Sequence, residues 1–273
     1  MPELAEVEFY RRKWDAGIGA KITGVELHAA KRVLRGVDAK TFTTKLTDAK
    51  LLGSQSHGKQ MAFQFSGEAW LGIHLGMTGE LRVEPATFVP QKHDHLVLFQ
   101  RERALVFTDA RMFGRVLFHA GPGEPDWWRD LPPEVLSREF TVGYVGERLK
   151  RHRTFPLKAA LLDQATFPGI GNWMADEILW QARINPRAKA GALSAAELKE
   201  LWRMTRFVTK RAVDTIAKGS KRTDFGDPPK GFLFHVRWAK GGHCPRCKAS
   251  LQHDTIGGRT TAWCPKCQPL WRD

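Results

Sequence analysis

The four cysteines of this chain all lie near its C-terminal end, in two pairs that each enclose two residues. Cys244 pairs with Cys247 and Cys264 with Cys267, and the 16 residues between the pairs can form a β-hairpin. Four thiols at this spacing are typical of a closed, structural zinc site. Two disulfides or four free thiols are the alternatives. Residues 1–6 lack the basic and apolar segments of an export signal, and a reducing compartment disfavours disulfides. The sequence therefore predicts one structural Zn²⁺ per chain.

The charge of the chain indicates an anionic partner. Lys and Arg number 43 against 29 Asp and Glu, which gives a formal net charge of +14. Nucleic acid is the usual partner of so basic a protein, and a membrane surface is the alternative. No apolar run approaches the roughly 20 residues of a spanning helix, and the basic residues are dispersed. We therefore expect a nucleic-acid partner and no membrane, in a chain of 273 residues that is long enough for two domains.

The N-terminal half has the patterns of a short helix followed by an antiparallel β-domain. Residues 2–14 predict a helix in which Leu4, Val7, Arg11 and Trp14 share one face. From residue 21 to about residue 119, β-branched and aromatic residues recur with a period of two, and turn signals separate the runs. This pattern predicts a β-sandwich with strands at 21–28, 61–65, 70–74, 95–100, 105–108 and 116–118.

The C-terminal half is predicted to be helical, so the fold class is α+β. Ser194 and Glu197 form the sequence pattern of a capping box before an apolar stripe that ends at Gly219. An earlier helix follows residues 167–172 and ends before Asn185, and residues 218–231 are predicted to be a polar, mobile loop. The predicted organisation is a helix and β-sandwich at 1–120, a linker at 121–148, a helical domain at 149–235 and a zinc finger at 236–273.

Pro2 is the most informative residue outside the cysteine pairs. If the initiator methionine is removed, Pro2 carries a secondary α-amine, and an α-amine has a pKa of about 7.7–8. Such an amine can attack a sugar C1′ and form an iminium. The structural alternative is that proline only occupies the first turn of a helix, and for Pro2 taken alone this alternative is favoured. Glu3 and Glu6 lie nearby as a candidate general acid and an electrostatic partner.

Three turns have features that suit DNA. Residues 168–172 form a Gly-rich turn before a helix, where backbone N–H groups and the helix dipole favour a phosphate. Residues 74–79 and 109–114 are tight loops between strands, with Met77 and Phe113 at their tips. Such side chains can be wedges that enter a base stack. Burial in the core is the alternative for both.

Taken together, these motifs resemble the formamidopyrimidine-DNA glycosylase and endonuclease VIII family, zinc-bearing DNA glycosylases with AP-lyase activity. The resemblance follows the family's order along nearly the whole chain. It is carried by residues 1–8, 58–59, 74–79, 92–95, 109–114, 169–177 and 258–267. It implies a β-sandwich after an N-terminal helix, a helix–two-turn–helix domain and a terminal zinc-finger hairpin.

The resemblance also implies roles for individual residues. Pro2 is the implied nucleophile and Glu3 the acid that assists opening of the sugar. Lys59 belongs to the catalytic set and, with Asn172 and Arg259, holds phosphates around the lesion. The remaining DNA-binding residues are Glu6, with Met77, Arg111 and Phe113 filling the gap left by an everted nucleotide. The implied partner is double-stranded DNA with damaged bases or abasic sites, bound by a monomer located in the cytoplasm, with the nucleoid if the source is bacterial.

The sequence departs from the family pattern at three places, and other functions stay open. Ala5 replaces a second proline, Met112 replaces an arginine with the expected loss of one phosphate contact, and Trp173-Met174 replaces the usual Ile-Tyr. The main hypothesis is excision of oxidised purines followed by β,δ-elimination at the abasic site. The alternatives are a non-catalytic zinc-ribbon protein that binds damaged DNA, a glycosylase for oxidised pyrimidines, and, with less support, an RNA-binding zinc ribbon.

Overall fold

The computed structural model describes residues 1–218, 226–239 and 241–270. The chain divides into two compact units, described separately below: Met1–Leu131, and a second unit that begins at Pro132 and includes the described residues from 226 onward. In the described ranges, every helix is too short or too polar to span a membrane.

A short helix opens the first unit. Helix α1 spans Leu4–Lys13, two residues later than predicted, and a 3₁₀ turn at Trp14–Gly17 continues it. Glu3 precedes the helix and forms a capping box with Glu6, whose carboxylate accepts a hydrogen bond from the Glu3 N–H at 3.1 Å. Val7 and Trp14 of the predicted face are buried, whereas Arg11 is held between acidic side chains at the edge of the core.

Two four-stranded antiparallel sheets share one apolar core and form a sandwich, as the sequence predicts. Their strand orders are β1-β6-β7-β5 and β2-β3-β4-β8. Phe63 and Leu71 of one sheet and Leu96 and Phe107 of the other belong to the same buried cluster. The strands are β1 Gly24–Leu27, β2 Leu51–His57, β3 Gln60–Phe65, β4 Ala69–His74, β5 Glu80–Pro85, β6 Asp94–Phe99, β7 Arg103–Thr108 and β8 Arg115–Ala120.

The sequence patterns predicted six of these strands and missed β2 and β5. Strand β2 is mostly polar or glycine, and β5 alternates but has only Leu81 and Val83 as large apolar residues, so neither has the run of β-branched and aromatic residues on which the prediction relied. Helix α2, Ala39–Leu46, was also missed; Asp38 caps it by accepting from the Thr41 N–H at 2.7 Å. The segment at 121–148 contains α3, Asp126–Arg129, and the start of α4.

The second unit is helical and ends in a zinc-finger hairpin. Asn185 and Pro186 follow α6, and Ser194 and Glu197 form the predicted capping box of α7. Helix α7 continues as a π-helical turn at Val213–Ala217; the predicted stop at Gly219 and residues 219–225 of the predicted loop lie outside the described residues. The helices are α4 Val142–Arg151, α5 Leu157–Ala160, α6 Asn172–Ala182 and α7 Ala195–Ala212.

The hairpin consists of β9, Gln252–Ile256, and β10, Arg259–Trp263. Gly257 and Gly258 connect them with φ values of +60° and +72°, which suit a two-residue hairpin turn with positive φ at both positions. The hairpin packs beside α6, where Trp180, Leu233 and Leu251 form a small core with the cysteines.

Candidate active site and metal centre

The N-terminal candidate residues surround the start of α1. Pro2 is half-buried and Glu3 is only 3% exposed. The Glu3 carboxyl lies at the N-terminus of α1, where the helix dipole favours negative charge. Glu6, one turn later, holds the Glu3 backbone in place by accepting its N–H. This arrangement puts a buried carboxyl directly after the residue whose amine is the candidate nucleophile.

Lys59 occupies the tight turn between β2 and β3 and is 8% exposed. Its neighbour Gln60 pairs with His74 across β3 and β4. Burial, and then the positive charge of Lys59, lower the pKa of His74. His74 therefore stays neutral at physiological pH, and its Nδ1 accepts the Gly76 N–H at 3.0 Å.

One buried carboxylate ties the two predicted wedge loops together. Asp109 is fully buried and accepts hydrogen bonds from the Thr78 hydroxyl at 2.8 Å and from the Gly114 N–H at 2.6 Å. The loops also touch directly: Gly76 has a φ of +62°, and a Cβ there would lie 2.3 Å from the Phe113 carbonyl carbon. The backbone of each loop is therefore supported by the other.

The loops leave their long side chains exposed. Met77 is 42% and Phe113 44% exposed, so burial in the core does not account for either residue. The guanidinium of Arg111 lies 5.0 Å from the centre of the Phe113 ring, which orders both side chains. Met112 differs: it has a φ of +54° and packs partly buried against the sandwich core.

In the second unit, Asn172 contacts Thr260, the residue that follows Arg259. The Asn172 side-chain amide donates to the Thr260 carbonyl at 3.0 Å, and Arg259, the preceding residue, is exposed. Asn172 is also the first residue of α6, the end of the helix that favours anions. This contact brings the two predicted phosphate-binding residues of the second unit together.

A network of buried charged side chains supports the contact between Asn172 and the hairpin, and the sequence analysis missed this network. Asp176 is 1% exposed and forms ion pairs with Lys158 and Arg237, which are also buried. Lys158 also donates to the Asn172 carbonyl at 2.7 Å, and Asp176 accepts the Ala262 N–H at 3.1 Å. Two acidic residues inside an otherwise apolar helical run were the signal that could have revealed the network.

The four cysteines meet as predicted. All are free thiols, and their sulfur atoms lie within 4.8 Å of one another. The Sγ atoms of Cys244 and Cys267 are 3.9 Å apart and those of Cys247 and Cys264 3.4 Å apart, near the ~3.8 Å expected around tetrahedral zinc with Zn–S bonds of about 2.3 Å. Four thiolates without an open position form a structural zinc site.

The surroundings of Cys244 favour the thiolate form of its side chain. Burial raises the pKa of Cys244, but hydrogen bonds from the Cys247 backbone and the Trp180 side chain outweigh burial and lower the pKa to about 6. The Trp180 indole N–H lies 3.3 Å from the Cys244 sulfur. The zinc-finger sequence alone contains no sign of this contact, since Trp180 belongs to α6.

Comparisons with known proteins agree with this arrangement. Residues 1–116 match the formamidopyrimidine-DNA glycosylase N-terminal domain, residues 131–224 its H2TH domain, and residues 241–270 the zinc finger found in FPG and IleRS. The formamidopyrimidine-DNA glycosylases of Laribacter hongkongensis and Thermomicrobium roseum are 36% and 35% identical to the chain. These alignments cover 98% and 99% of the chain and 100% of each relative.

Solved structures are similar over the same length. The Lactococcus lactis enzyme bound non-covalently to AP-site DNA has a TM-score of 0.84 at 26% identity, covering 98% of this chain and 99% of that one. MutM in complex with DNA that contains carbocyclic 8-oxo-G has a TM-score of 0.84 at 29% identity, covering 98% and 100%. The chain belongs to the formamidopyrimidine-DNA glycosylase family, whose members are zinc-finger DNA-repair glycosylases with AP-lyase activity.

Proposed function

We propose that this chain excises oxidised purines, such as 8-oxoguanine and formamidopyrimidines, from double-stranded DNA and then cleaves the abasic strand by β,δ-elimination. The observation that carries the proposal is Pro2 beside the buried carboxyl of Glu3, in a member of this family. Solved relatives bound to Fapy-dG DNA and to abasic DNA support these substrates. We also propose that the protein acts as a monomer in the cytoplasm, with the nucleoid if its host is bacterial.

The first chemical step uses the amine of Pro2 after removal of Met1. With a pKa of about 7.7–8, a sizeable fraction of this amine is neutral at physiological pH. Its lone pair attacks C1′, and the bond from C1′ to the base breaks, so the base leaves with the electron pair and takes up a proton. The Pro2 nitrogen loses its proton to the Glu3 carboxylate, Glu3 then gives a proton to O4′ as the sugar ring opens, and the nitrogen becomes an iminium.

Strand cleavage follows from the acidity that the iminium gives to the sugar. Loss of a proton at C2′ expels the 3′-phosphate, and a further proton loss along the conjugated chain expels the 5′-phosphate. Water then hydrolyses the remaining imine and frees Pro2. Glu3 is the buried carboxyl next to the reacting nitrogen, so it is assigned to proton transfer in these steps.

The remaining residues are assigned to holding the DNA. Lys59, buried in the turn beside the His74 strand, is assigned to a phosphate near the lesion. Asn172, which donates to the carbonyl of Thr260, and Arg259, the residue before Thr260, are assigned to phosphates in the second unit. Glu6 belongs to this set through its bond to the Glu3 backbone, which fixes the chain that enters the site.

Met77, Arg111 and Phe113 are assigned to the gap left by the everted nucleotide. Arg111 carries donors only, so its guanidinium favours an orphaned base with acceptors on its pairing edge. Cytosine has O2 and N3 there, whereas adenine has only N1 beside an amino group. Loss of one such hydrogen-bond pair costs about 1–3 kcal/mol, or roughly ten- to a hundredfold in rate. We therefore expect 8-oxoguanine to be excised fastest opposite cytosine.

The decisive experiment is borohydride trapping on an 8-oxoguanine duplex. Intact-mass measurement first establishes that Met1 is absent. We expect a covalent adduct on the tryptic peptide that starts at Pro2, and a strong loss of trapping in Pro2→Gly with duplex binding retained. An adduct on the peptide containing Lys59 would move the nucleophile there. Tight binding of damaged DNA without any adduct or strand cleavage would favour the non-catalytic DNA-binding protein.

Single-turnover rates decide the lesion class. The panel is 8-oxoguanine opposite C and opposite A, 5-hydroxycytosine and thymine glycol, with Arg111→Ala as the variant. Faster excision of the oxidised pyrimidines would identify a pyrimidine-preferring glycosylase. Equal rates opposite C and A in the unmodified protein would remove Arg111 from the assigned role.

A further inference from the structure

One face of α6 contacts the zinc module at every turn of the helix. Asn172, Asp176 and Trp180 are spaced by four residues, so their side chains share this face. Asn172 donates to the Thr260 carbonyl at 3.0 Å, and Asp176 accepts the Ala262 N–H at 3.1 Å. The third residue, Trp180, donates to a metal ligand instead of to the hairpin backbone.

The contact between Trp180 and Cys244 has the geometry of a hydrogen bond to sulfur. The indole Nε1 lies 3.3 Å from the Cys244 Sγ, with Trp180 4% and Cys244 0% exposed. Indole nitrogen is a donor only, and a sulfur that has lost its proton is a stronger acceptor than a thiol. Because both groups are buried, little water competes for this bond.

The Trp180 ring is also held by contacts other than the one with the Cys244 sulfur. The Arg246 guanidinium lies 4.2 Å from the ring centre, and its Nη1 donates to the Trp180 carbonyl at 3.2 Å. The ring also packs in the small core with Leu233 and Leu251. In this position the ring directs its N–H at the Cys244 sulfur.

We propose that Trp180 is a positioning residue for the zinc site: its indole N–H binds the zinc-bound sulfur of Cys244 and slows loss of the metal. The four-thiolate donor set fits zinc, and Trp180 stands outside that set. The bond holds Cys244 in the ligating orientation and withdraws negative charge from its sulfur. Partners of this kind commonly change metal affinity by about 10- to 100-fold.

The variant that tests the bond is Trp180→Phe, which keeps a large apolar ring and removes the donor. Trp173→Phe, a buried tryptophan of the same helix, is the matched control because its ring packs on Phe234. We expect zinc release to a chromogenic chelator to be about tenfold faster in Trp180→Phe and nearly unchanged in the control. Equal rates in both variants would overturn the proposal.

Replacement of zinc by Co²⁺ separates a hydrogen bond from simple packing. Loss of an N–H donor raises the energy of the sulfur lone pairs, so the sulfur-to-cobalt charge-transfer band of Trp180→Phe should move to lower energy. The Trp173→Phe band should stay where the unmodified protein has it. A band that does not move in Trp180→Phe would assign Trp180 to packing alone.

A measurement on the unmodified chain keeps the test independent of whether the variant folds. In protein loaded with ¹¹³Cd, a bond from N–H through sulfur to the metal should give scalar coupling between the ¹¹³Cd nucleus and the Trp180 indole proton. Slow exchange of that proton with solvent should accompany it. Absence of the coupling in a well-resolved spectrum would refute the bond. None of these readouts depends on DNA, so they stand or fall separately from the proposed enzyme reaction.

Discussion

The buried carboxyl of Glu177 should make the free energy of unfolding depend on pH, and the size of this effect follows from the shift in its pKa. Its side chain is 0% exposed in α6 and accepts hydrogen bonds from the Gln181 amide at 2.8 Å and the Phe234 N–H at 3.4 Å. Burial dominates over these bonds and raises the pKa of Glu177 to about 7, from an ordinary value of 4.5.

The sign follows from proton binding in the two states. Between pH 4.5 and about 7, the folded chain binds the Glu177 proton while the unfolded chain has released it. The stability that the protonated form contributes is therefore present below pH 4.5 and is lost as the pH rises through about 7. At about 1.4 kcal/mol per pKa unit the ceiling is about 3.5 kcal/mol, of which about 2.5 kcal/mol falls between pH 5 and pH 8.

The substitution Glu177→Gln removes this titration at nearly constant volume. Any hydrogen bond that the amide makes less well costs the same at every pH, so only the pH-dependent part is diagnostic. Relative to the unmodified chain, the variant should gain up to about 2.5 kcal/mol between pH 5 and pH 8. That gain corresponds to roughly 5–10 °C in Tm.

Thermal unfolding of the full chain at both pH values, with zinc in excess, provides the measurement. Glu200→Gln is the control: the hydrogen bond from Arg203 lowers the pKa of Glu200, so this carboxyl titrates below the pH 5–8 window and the Tm difference of this variant should be the same at both pH values. An identical Tm difference at pH 5 and pH 8 for Glu177→Gln would show that Glu177 does not titrate in this window, and the reasoning from burial would fail.

Two further outcomes follow from the site. Asp109→Asn should lower the free energy of unfolding in urea by about 1–3 kcal/mol and weaken binding of a lesion duplex, because an amide cannot accept from both Thr78 and Gly114 as the carboxylate does. Unchanged stability and binding would contradict the conclusion that Asp109 holds the two loops together. Cys244→Ser should abolish binding of the one zinc ion per chain and expose the backbone amides of β9 and β10 to hydrogen exchange, while those of β3 and β4 stay protected. A full zinc ion per chain in metal analysis of this variant would count against a four-thiolate site.

The zinc centre could be predicted from the sequence because its geometry is local. Each cysteine pair places two sulfurs on one turn, and the Gly257-Gly258 dipeptide supplies the positive φ values that a hairpin between the pairs requires. The capping box at Ser194 was predictable for the same reason, since its two partners are three residues apart. Local rules also yielded six strands from their runs of β-branched and aromatic residues.

Helix α4 was not predicted, because its sequence is suited to packing against another helix and has a low helix propensity of its own. Gly143 and Gly146 lower its helix propensity, and Val145 and Leu149 are its only fully buried apolar side chains. Gly146 is explained by close packing: a Cβ there would lie 2.9 Å from the Leu198 side chain of α7. A residue that looks like a helix breaker in the sequence therefore allows two helices to approach.

The buried polar groups of the second unit could not be predicted for a different reason. Asp176 and Arg237 are 61 residues apart, and Trp180 and Cys244 are 64 apart. Hydrophobic periodicity places each of these residues on or near an apolar face but contains no information about its partner. Such pairs become visible only when the fold brings them together, and leaving one member unpaired in the core would be costly.

Met112 shows how a departure from a family pattern can be reinterpreted by the structure. The sequence analysis interpreted Met112 as the loss of one phosphate contact. In the structure its backbone has a φ of +54°, and its side chain packs against the sandwich core instead of facing solvent. The apolar side chain suits the partly buried position that this loop gives it. Arg111 then remains the only cationic side chain between Asp109 and Gly114, which concentrates the loop's electrostatic role in the residue stacked on Phe113.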